Sequence, residues 1–237
     1  MSSWRRICGS WGRLVALTEV TLKVLPRGRE QITLMADGLT PEQAQGLMAR
    51  AMASHADVQA AAYLPTFYGG PPSFIGIRLE GFGPSVAARA AMLIALAGPD
   101  CPLVVAPDHA ANNFWASIRD LTPLAGRGML WRVNVPPSRG CAVAAAVEPF
   151  AADWLFDWAG GLVWIGHDGD PHVIRDAAAA AGGHATLVRR ASYLAADVPI
   201  FHPPAPGVAA LEARVRRAFD PSGVFETGRF PEAVHAD

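Results

Sequence analysis

Two imidazoles and two carboxylates fall within six residues at His167-Asp168-Gly169-Asp170-Pro171-His172. Such a donor set suits a divalent ion. The segment also joins a strand-like run to a helix-like one, where Asp, Gly and Pro are ordinary turn and cap residues, and a loop is the reading adopted. His202, between Phe201 and Pro203, has the right ring for proton transfer near neutrality; a surface-loop histidine is the plainer reading. Arg78, Arg189 and Arg190 are of the type that grips a substrate carboxylate through two parallel hydrogen bonds. The sequence specifies no partner group for them, so solvated sheet-edge arginines are the plainer reading. No Ser/His/Asp or Cys/His spacing marks a nucleophile. Gly69-Gly70, Gly160-Gly161 and Gly182-Gly183 are turn signals, and none belongs to a G-x-G-x-x-G after a strand. Cys8, Cys101 and Cys141 form no C-x-x-C pair, so neither a metal site nor a disulfide framework is expected, and a reducing compartment fits.

The chain ends are more specific. Gly9-Ser10-Trp11-Gly12 reads as a tight turn, because glycines there let backbone approach a neighbour closely. It feeds Arg13-Leu14-Val15-Ala16-Leu17-Thr18-Glu19-Val20-Thr21-Leu22-Lys23-Val24-Leu25, a long strand-like run that Pro26 stops. At the other end stands Phe219-Asp220-Pro221-Ser222-Gly223-Val224-Phe225-Glu226-Thr227-Gly228-Arg229. A helix stop and tight turn are expected there.

Together these segments resemble the vanillyl-alcohol-oxidase type FAD-linked oxidases, and most closely the FAD-binding subunits of bacterial glycolate oxidases. The first resembles the family's G-S-x-G-x-L-x-x-x-T-E-x-T-L-K-x-x-P segment, which closes the flavin domain. The second resembles its closing F-D-P-x-G-x-x-N-x-G-R/K. The resemblance implies FAD as cofactor, with Gly9, Ser10, Gly12 and Leu14 at a flavin-contacting turn and Glu226 and Gly228 in a segment returning to the flavin. Gly223, Thr227 and Arg229 also keep the pattern. Glu226 stands where the family carries Asn, and an ionised Glu accepts hydrogen bonds but donates none. The resemblance further implies oxidation of a 2-hydroxy acid to a 2-oxo acid within a heteromeric glycolate oxidase complex. The partners would be a flavin-containing catalytic subunit and an iron–sulfur subunit.

Placed on the chain, the resemblance implies that residues 1–26 are the last strands of a flavin domain whose remainder is missing. Residues 27–218 would be an α+β cap domain, and 219–237 a segment returning to the flavin domain. A non-catalytic assembly domain that binds no flavin by itself is the alternative.

The elements between the ends fit a cap of this build. Gln31 to Ala36 alternates as a half-buried strand. Thr40-Pro41-Glu42-Gln43 is a helix start with a capping box, and Ala44, Leu47, Met48, Ala51 and Met52 form the apolar stripe. Strands follow at Val58 to Leu64 and Phe74 to Gly81, then a helix capped by Ser85, then a short extended run from Cys101 to Pro107. Asn112 to Leu121 reads as a helix anchored by Phe114, Trp115 and Ile118. The second half repeats the order: strand from Gly128, helix from Ser138, strands from Ala152 and Leu162, helix from Pro171, strand from His184. The plan predicted is an antiparallel sheet with helices on one face, ferredoxin-like and duplicated in arrangement. A last helix from Gly207 to Phe219 is expected to face Val208, Leu211, Val215 and Phe219 inward.

Bulk properties agree. The 237 residues are 51% hydrophobic and 17% charged, enough apolar mass for a sizeable core. Twenty Lys+Arg against 21 Asp+Glu give a net charge of -1, with no basic surplus for nucleic acid. Met1 to Arg6 leads into no signal-peptide run, and no apolar stretch is long enough to span a bilayer. A cytoplasmic protein is expected, with any membrane contact made through partners.

Overall fold

The computed structural model describes residues 7–24, 26, 28–67, 70–190 and 198–225. In chain order these contain β1 (Glu30–Asp37), α1 (Pro41–Ala53), β2 (Ala60–Leu64), β3 (Phe74–Gly81), α2 (Gly83–Ala97), β4 (Val104–Val105) and α3 (Asp108–Asp120). There follow β5 (Leu130–Asn134), α4 (Gly140–Val147), β6 (Asp153–Asp157), β7 (Leu162–Gly166), α5 (Pro171–Ala180), β8 (His184–Arg189) and α6 (Pro206–Phe219). They divide into two units, one spanning 26–196 and one drawn from the described residues of 1–25 and 197–237.

In the larger unit the local signals are realised atom by atom. Thr40 Oγ1 accepts from the Gln43 backbone N–H at 3.3 Å while Gln43 Oε1 accepts from the Thr40 N–H at 2.9 Å, a reciprocal capping box. The helix stripe Ala44, Leu47, Met48 and Ala51 is buried, whereas Met52 is exposed. Some helix starts differ from expectation: Phe82, not Ser85, is the N-cap of α2, and α3 begins at Asp108 rather than Asn112. Pro84 sits in the first turn, where its missing N–H costs nothing.

The strands form a single antiparallel sheet of order β4-β1-β3-β2-β6-β7-β5-β8. Each half is a strand–helix–strand–strand–helix–strand unit with the same internal order, so the arrangement is duplicated. The halves meet where Tyr63 of β2 pairs with Phe156 of β6. Their rings lie 5.9 Å apart, and Trp154 adds contacts to both. Above this seam α1 meets α4. There Gln45 donates to Ser138 O at 3.2 Å and accepts from the Cys141 N–H at 2.8 Å.

Strand alternation sorts the side chains into two faces. Leu34, Ile75, Ile77, Tyr63, Phe156, Val163, Trp131 and Ala185 share one face by register, and all are buried. The helices pack there as a row, α2 beside α1, α1 beside α4, α4 beside α5. Each large side chain so buried contributes about 1.5–3 kcal/mol. Helix α3 lies on the opposite face. Its Phe114 ring abuts Gly76, where a Cβ would overlap it, and Trp115 Nε1–H donates to Thr33 Oγ1 at 2.9 Å. Phe114, Ile118, Leu124, Leu130, Leu155 and Ala62 make a second, smaller core there.

The smaller unit departs from expectation twice. Residues 14–24 were expected to be a strand, but none of them is in one. A strand needs a neighbour for its ladder, and among the described residues none pairs with this run; Leu25 lies outside the described residues. Helix α6 forms, yet none of its residues is fully buried, and Val208 and Leu211 are 50% and 57% exposed. Its apolar stripe therefore does not face a core among the described residues. The turn after it does close as expected: Gly223 is left-handed (φ 70°), and the Asp220 carboxylate accepts from the N–H groups of Val224 and Phe225 at 2.9 and 2.7 Å.

Candidate functional site

Arg78 lies between buried Ile77 and Leu79, so alternation turns it to the face that carries α3. On α3 the buried positions are Ala111, Phe114 and Ile118, one stripe at helical spacing. Trp115, one residue round from Phe114, flanks that stripe, and its hydrogen bond to Thr33 fixes the indole. The Arg78 guanidinium sits 4.8 Å from the centre of that ring, a cation–π contact that also holds the guanidinium plane. Arg78 Nε is 3.4 Å from Glu80 Oε1; it is buried and has no hydrogen-bond partner among the described residues.

Beside Arg78 is a groove of about 1000 Å³. Ala60 gives it a low floor because small side chains leave the sheet surface open. Trp115, Asp157 and Trp158 also line it. Asp157 ends β6, and its Oδ1 accepts from the Trp158 N–H at 2.7 Å. Trp158 and Ala159 are both left-handed without being glycine (φ 50° and 55°). Two such residues in succession carry strain of about 1–3 kcal/mol each, a pattern common at ligand sites. Burial pushes the Asp157 carboxyl up from its ordinary range, and the Trp158 N–H and the Arg78 charge only partly oppose this. Arg119 also lines the groove but is bound through two hydrogen bonds to Asp120, at 2.7 and 2.8 Å.

The residues singled out from sequence are dispersed. Arg189 is used internally, donating to Leu124 O and Arg127 O at 2.8 and 3.0 Å. Asp168 accepts from the Met129 N–H at 2.7 Å and Asp170 caps α5 through the His172 N–H at 2.9 Å. That segment is thus a strand-to-helix loop. His167 is buried, which lowers its basicity. Among the described residues no three His, Cys, Asp or Glu side chains cluster as metal donors. His202 belongs to the smaller unit.

Of the residues matched to a flavin-contacting turn, Gly9 and Gly12 are left-handed (φ 84° and 77°) with no described atom crowding either. Ser10 spans the turn, its N–H donating to Ile7 O at 3.1 Å and its carbonyl accepting from the Arg13 N–H at 3.0 Å. Leu14 is buried. Glu226, Thr227, Gly228 and Arg229 lie outside the described residues. An open glycine turn fits the close approach of one edge of a planar group such as a flavin. It offers contact rather than enclosure, so no chemical step is assigned to it.

No protein-family profile matches the chain. Glycolate oxidase subunit GlcE of Escherichia coli (strain K12) is 28% identical over 229 residues, covering 95% of this chain and 56% of that protein. Alkyldihydroxyacetonephosphate synthase, in two crystal forms, shares the fold. One matches with TM-score 0.58 and 13% identity over 94% of this chain and 48% of the other. The second gives 0.56 and 14%, over 94% and 49%. The chain is similar to the C-terminal portion of an FAD-linked oxidase subunit. It spans about half the length of these relatives. The likeness to the glycolate oxidase subunit runs through both units, since it covers 95% of this chain.

Sequence reasoning missed the groove. Arg78 was flagged, but Asp157, Trp158 and the Arg78–Trp115 stack were not. Alternation along Trp154-Leu155-Phe156-Asp157 does put Asp157 opposite Phe156; what no periodicity shows is that β2 and β6 become neighbours.

Proposed function

We propose that this chain serves as the cap and closing portion of an FAD-dependent oxidoreductase subunit that oxidises a 2-hydroxy acid, of the glycolate type, to the 2-oxo acid. FAD, when bound, would take the hydride. Gly9, Ser10, Gly12 and Leu14, with Glu226 and Gly228, would contact it from one side, while another module holds its diphosphate. The complex would include a flavin-containing catalytic subunit and an iron–sulfur subunit.

The observation that carries the reading is the apolar surface of the smaller unit. Leu17, Val20, Leu22 and Val24 are 58–79% exposed on a β-prone run, and Val208 and Leu211 are exposed on α6. A run that is apolar and alternating with no strand partner among the described residues, and an amphipathic helix with no core among them, are surfaces suited to another module. The similarity to a glycolate oxidase subunit supports reading that module as flavin-bearing. A non-catalytic interaction domain would present the same surface, so spectra must separate the two. The purified chain is expected to be colourless, and its complex with a flavin-bearing partner to show bands near ~370 and ~450 nm that bleach with glycolate or lactate. A complex that forms but never bleaches with a 2-hydroxy acid would leave the interaction-domain reading standing.

A further inference from the structure

We propose that the outward face of α2 is a self-association surface, on which a second copy of this chain docks through an antiparallel, two-fold pairing of the two α2 helices. The surface lies wholly within residues 26–196. It is therefore separate from the apolar surface of the smaller unit, proposed above for a flavin-bearing partner.

The helix departs from what solvent asks of a surface helix. Val86, Ala90, Leu93 and Ala97 form its buried stripe, and the opposite face of such a helix is ordinarily charged or polar. Between 87 and 95 the exposed positions are instead Ala87, Ala88, Ala91, Met92, Ile94 and Ala95. Met92 and Ile94 are large side chains left 43% and 39% exposed. Elsewhere in the same row, α1 exposes Glu42 and Arg50, and α5 exposes Asp176.

The one charged side chain of α2, Arg89, is turned aside. Its guanidinium donates to Ala56 O, Asp57 O and Glu80 O at 3.2, 3.3 and 2.8 Å, on the flank toward the end of α1. At 3.6 residues per turn, Ala87, Ala91 and Ile94 fall on the other flank, which looks toward the sheet edge at β4. There Val105 pairs with Leu34 and so shares the face on which α2 lies. It is 55% exposed, so apolar surface continues from the helix to the edge strand.

Charge and shape favour a second copy as the occupant. The face offers no charge for a charged partner to pair with, and two copies meeting on it oppose no like charges. Its alanines let two helix axes approach to about 8 Å. With a two-fold axis at Ala91, helical spacing sets Ala91 against Ala91, Ile94 of each copy against Ala87 of the other, and Ala88 against Ala95. Each Ile94 thus meets a small residue, and the surface is complementary to itself, as an isologous contact requires. The helix strip is about 22 Å long and about 10 Å wide, with Val105 of both copies bordering it. An area of this order lies at the low end of specific interfaces, so the dimer is reversible rather than obligate.

The full chain, without flavin, is tested by sedimentation equilibrium as its concentration is varied through the micromolar range. Its mass is expected to rise from monomer to dimer and stop there, since a two-fold contact closes on itself. Ala91→Glu and Ala91→Lys, each setting like charges together on the axis, should each weaken association at least tenfold with unchanged far-ultraviolet circular dichroism. An equimolar mixture of the two variants should recover the dimer, because the opposed charges then pair. Ala145→Glu, on the exposed side of α4, and Leu211→Glu, on α6, should leave the dimer unchanged. A chain that stays monomeric throughout, a mass that climbs past the dimer, or a dimer retained by a folded Ala91→Glu protein would overturn the proposal. So would a Glu/Lys mixture that stays monomeric, or equal weakening by Ala145→Glu or Leu211→Glu. Since no flavin-bearing partner enters the measurement, a negative result leaves the cap reading intact, and a failure to bleach in the assembled complex leaves this surface intact.

Discussion

At the scale of single residues, Asp157 is the most informative titrating group. Burial raises its folded pKa above that of the unfolded chain. The acid form therefore favours folding, and this contribution is complete below the ordinary carboxylate range and lost as pH rises through the folded value. Asp157→Asn removes the ionisation while its amide oxygen can still accept from the Trp158 N–H. The variant is expected to be more stable than wild type at pH 7 and equal to it near pH 3 (approximate bounds of the carboxylate range), as read by urea midpoints at the two pH values. Reactive chemistry was poorly legible at this scale. His167 and Asp170 drew a metal-donor reading, set aside for a loop, because type and spacing are visible in a sequence. Arg78 and Asp157 come to line one groove only because two strands far apart in the chain become neighbours, and no local pattern encodes that.

At the scale of elements, sequence reading was strongest where a signal is local. Thr40 and Gln43 announce a capping box and form one. Gly182, left-handed at φ 75°, ends α5 as its position implies. Reading was weakest where an element depends on something external. The Val20-Thr21-Leu22-Lys23-Val24 alternation is a genuine β pattern, but alternation states a preference and pairing satisfies it. Likewise the stripe of α6 is amphipathic, yet amphipathicity does not say what covers the apolar side. Helix α3 shows the reverse case. Its contact with the sheet rests on Gly76, because any side chain there would enter the space of the Phe114 ring. Gly76→Ala is expected to destabilise the chain by about 1–3 kcal/mol through overpacking. Adding Phe114→Leu should recover part of that loss, measured by thermal or denaturant unfolding of the single and double variants.

At the scale of the whole molecule, the duplicated strand–helix order was readable because each half repeats the same succession of local elements. The fusion of both halves into one sheet was not, since it rests on the contact of Tyr63 with Phe156. The apolar surface of the smaller unit gives a test of its role. Leu211 is 57% exposed, so Leu211→Glu should change stability by no more than ~0.5 kcal/mol. It is nonetheless expected to reduce capture of a flavin-bearing partner by tenfold or more in a pull-down at matched concentrations; undiminished capture would remove α6 from the interface. The join between the halves has a mechanical consequence. The outer pair β1–β4 is laced over two rungs and the remaining neighbours over five or more, while β2 and β6 share one bridge pair among the described residues. A load drawn across the sheet would part it along that midline first, leaving two four-stranded plates intact instead of peeling off an outer strand.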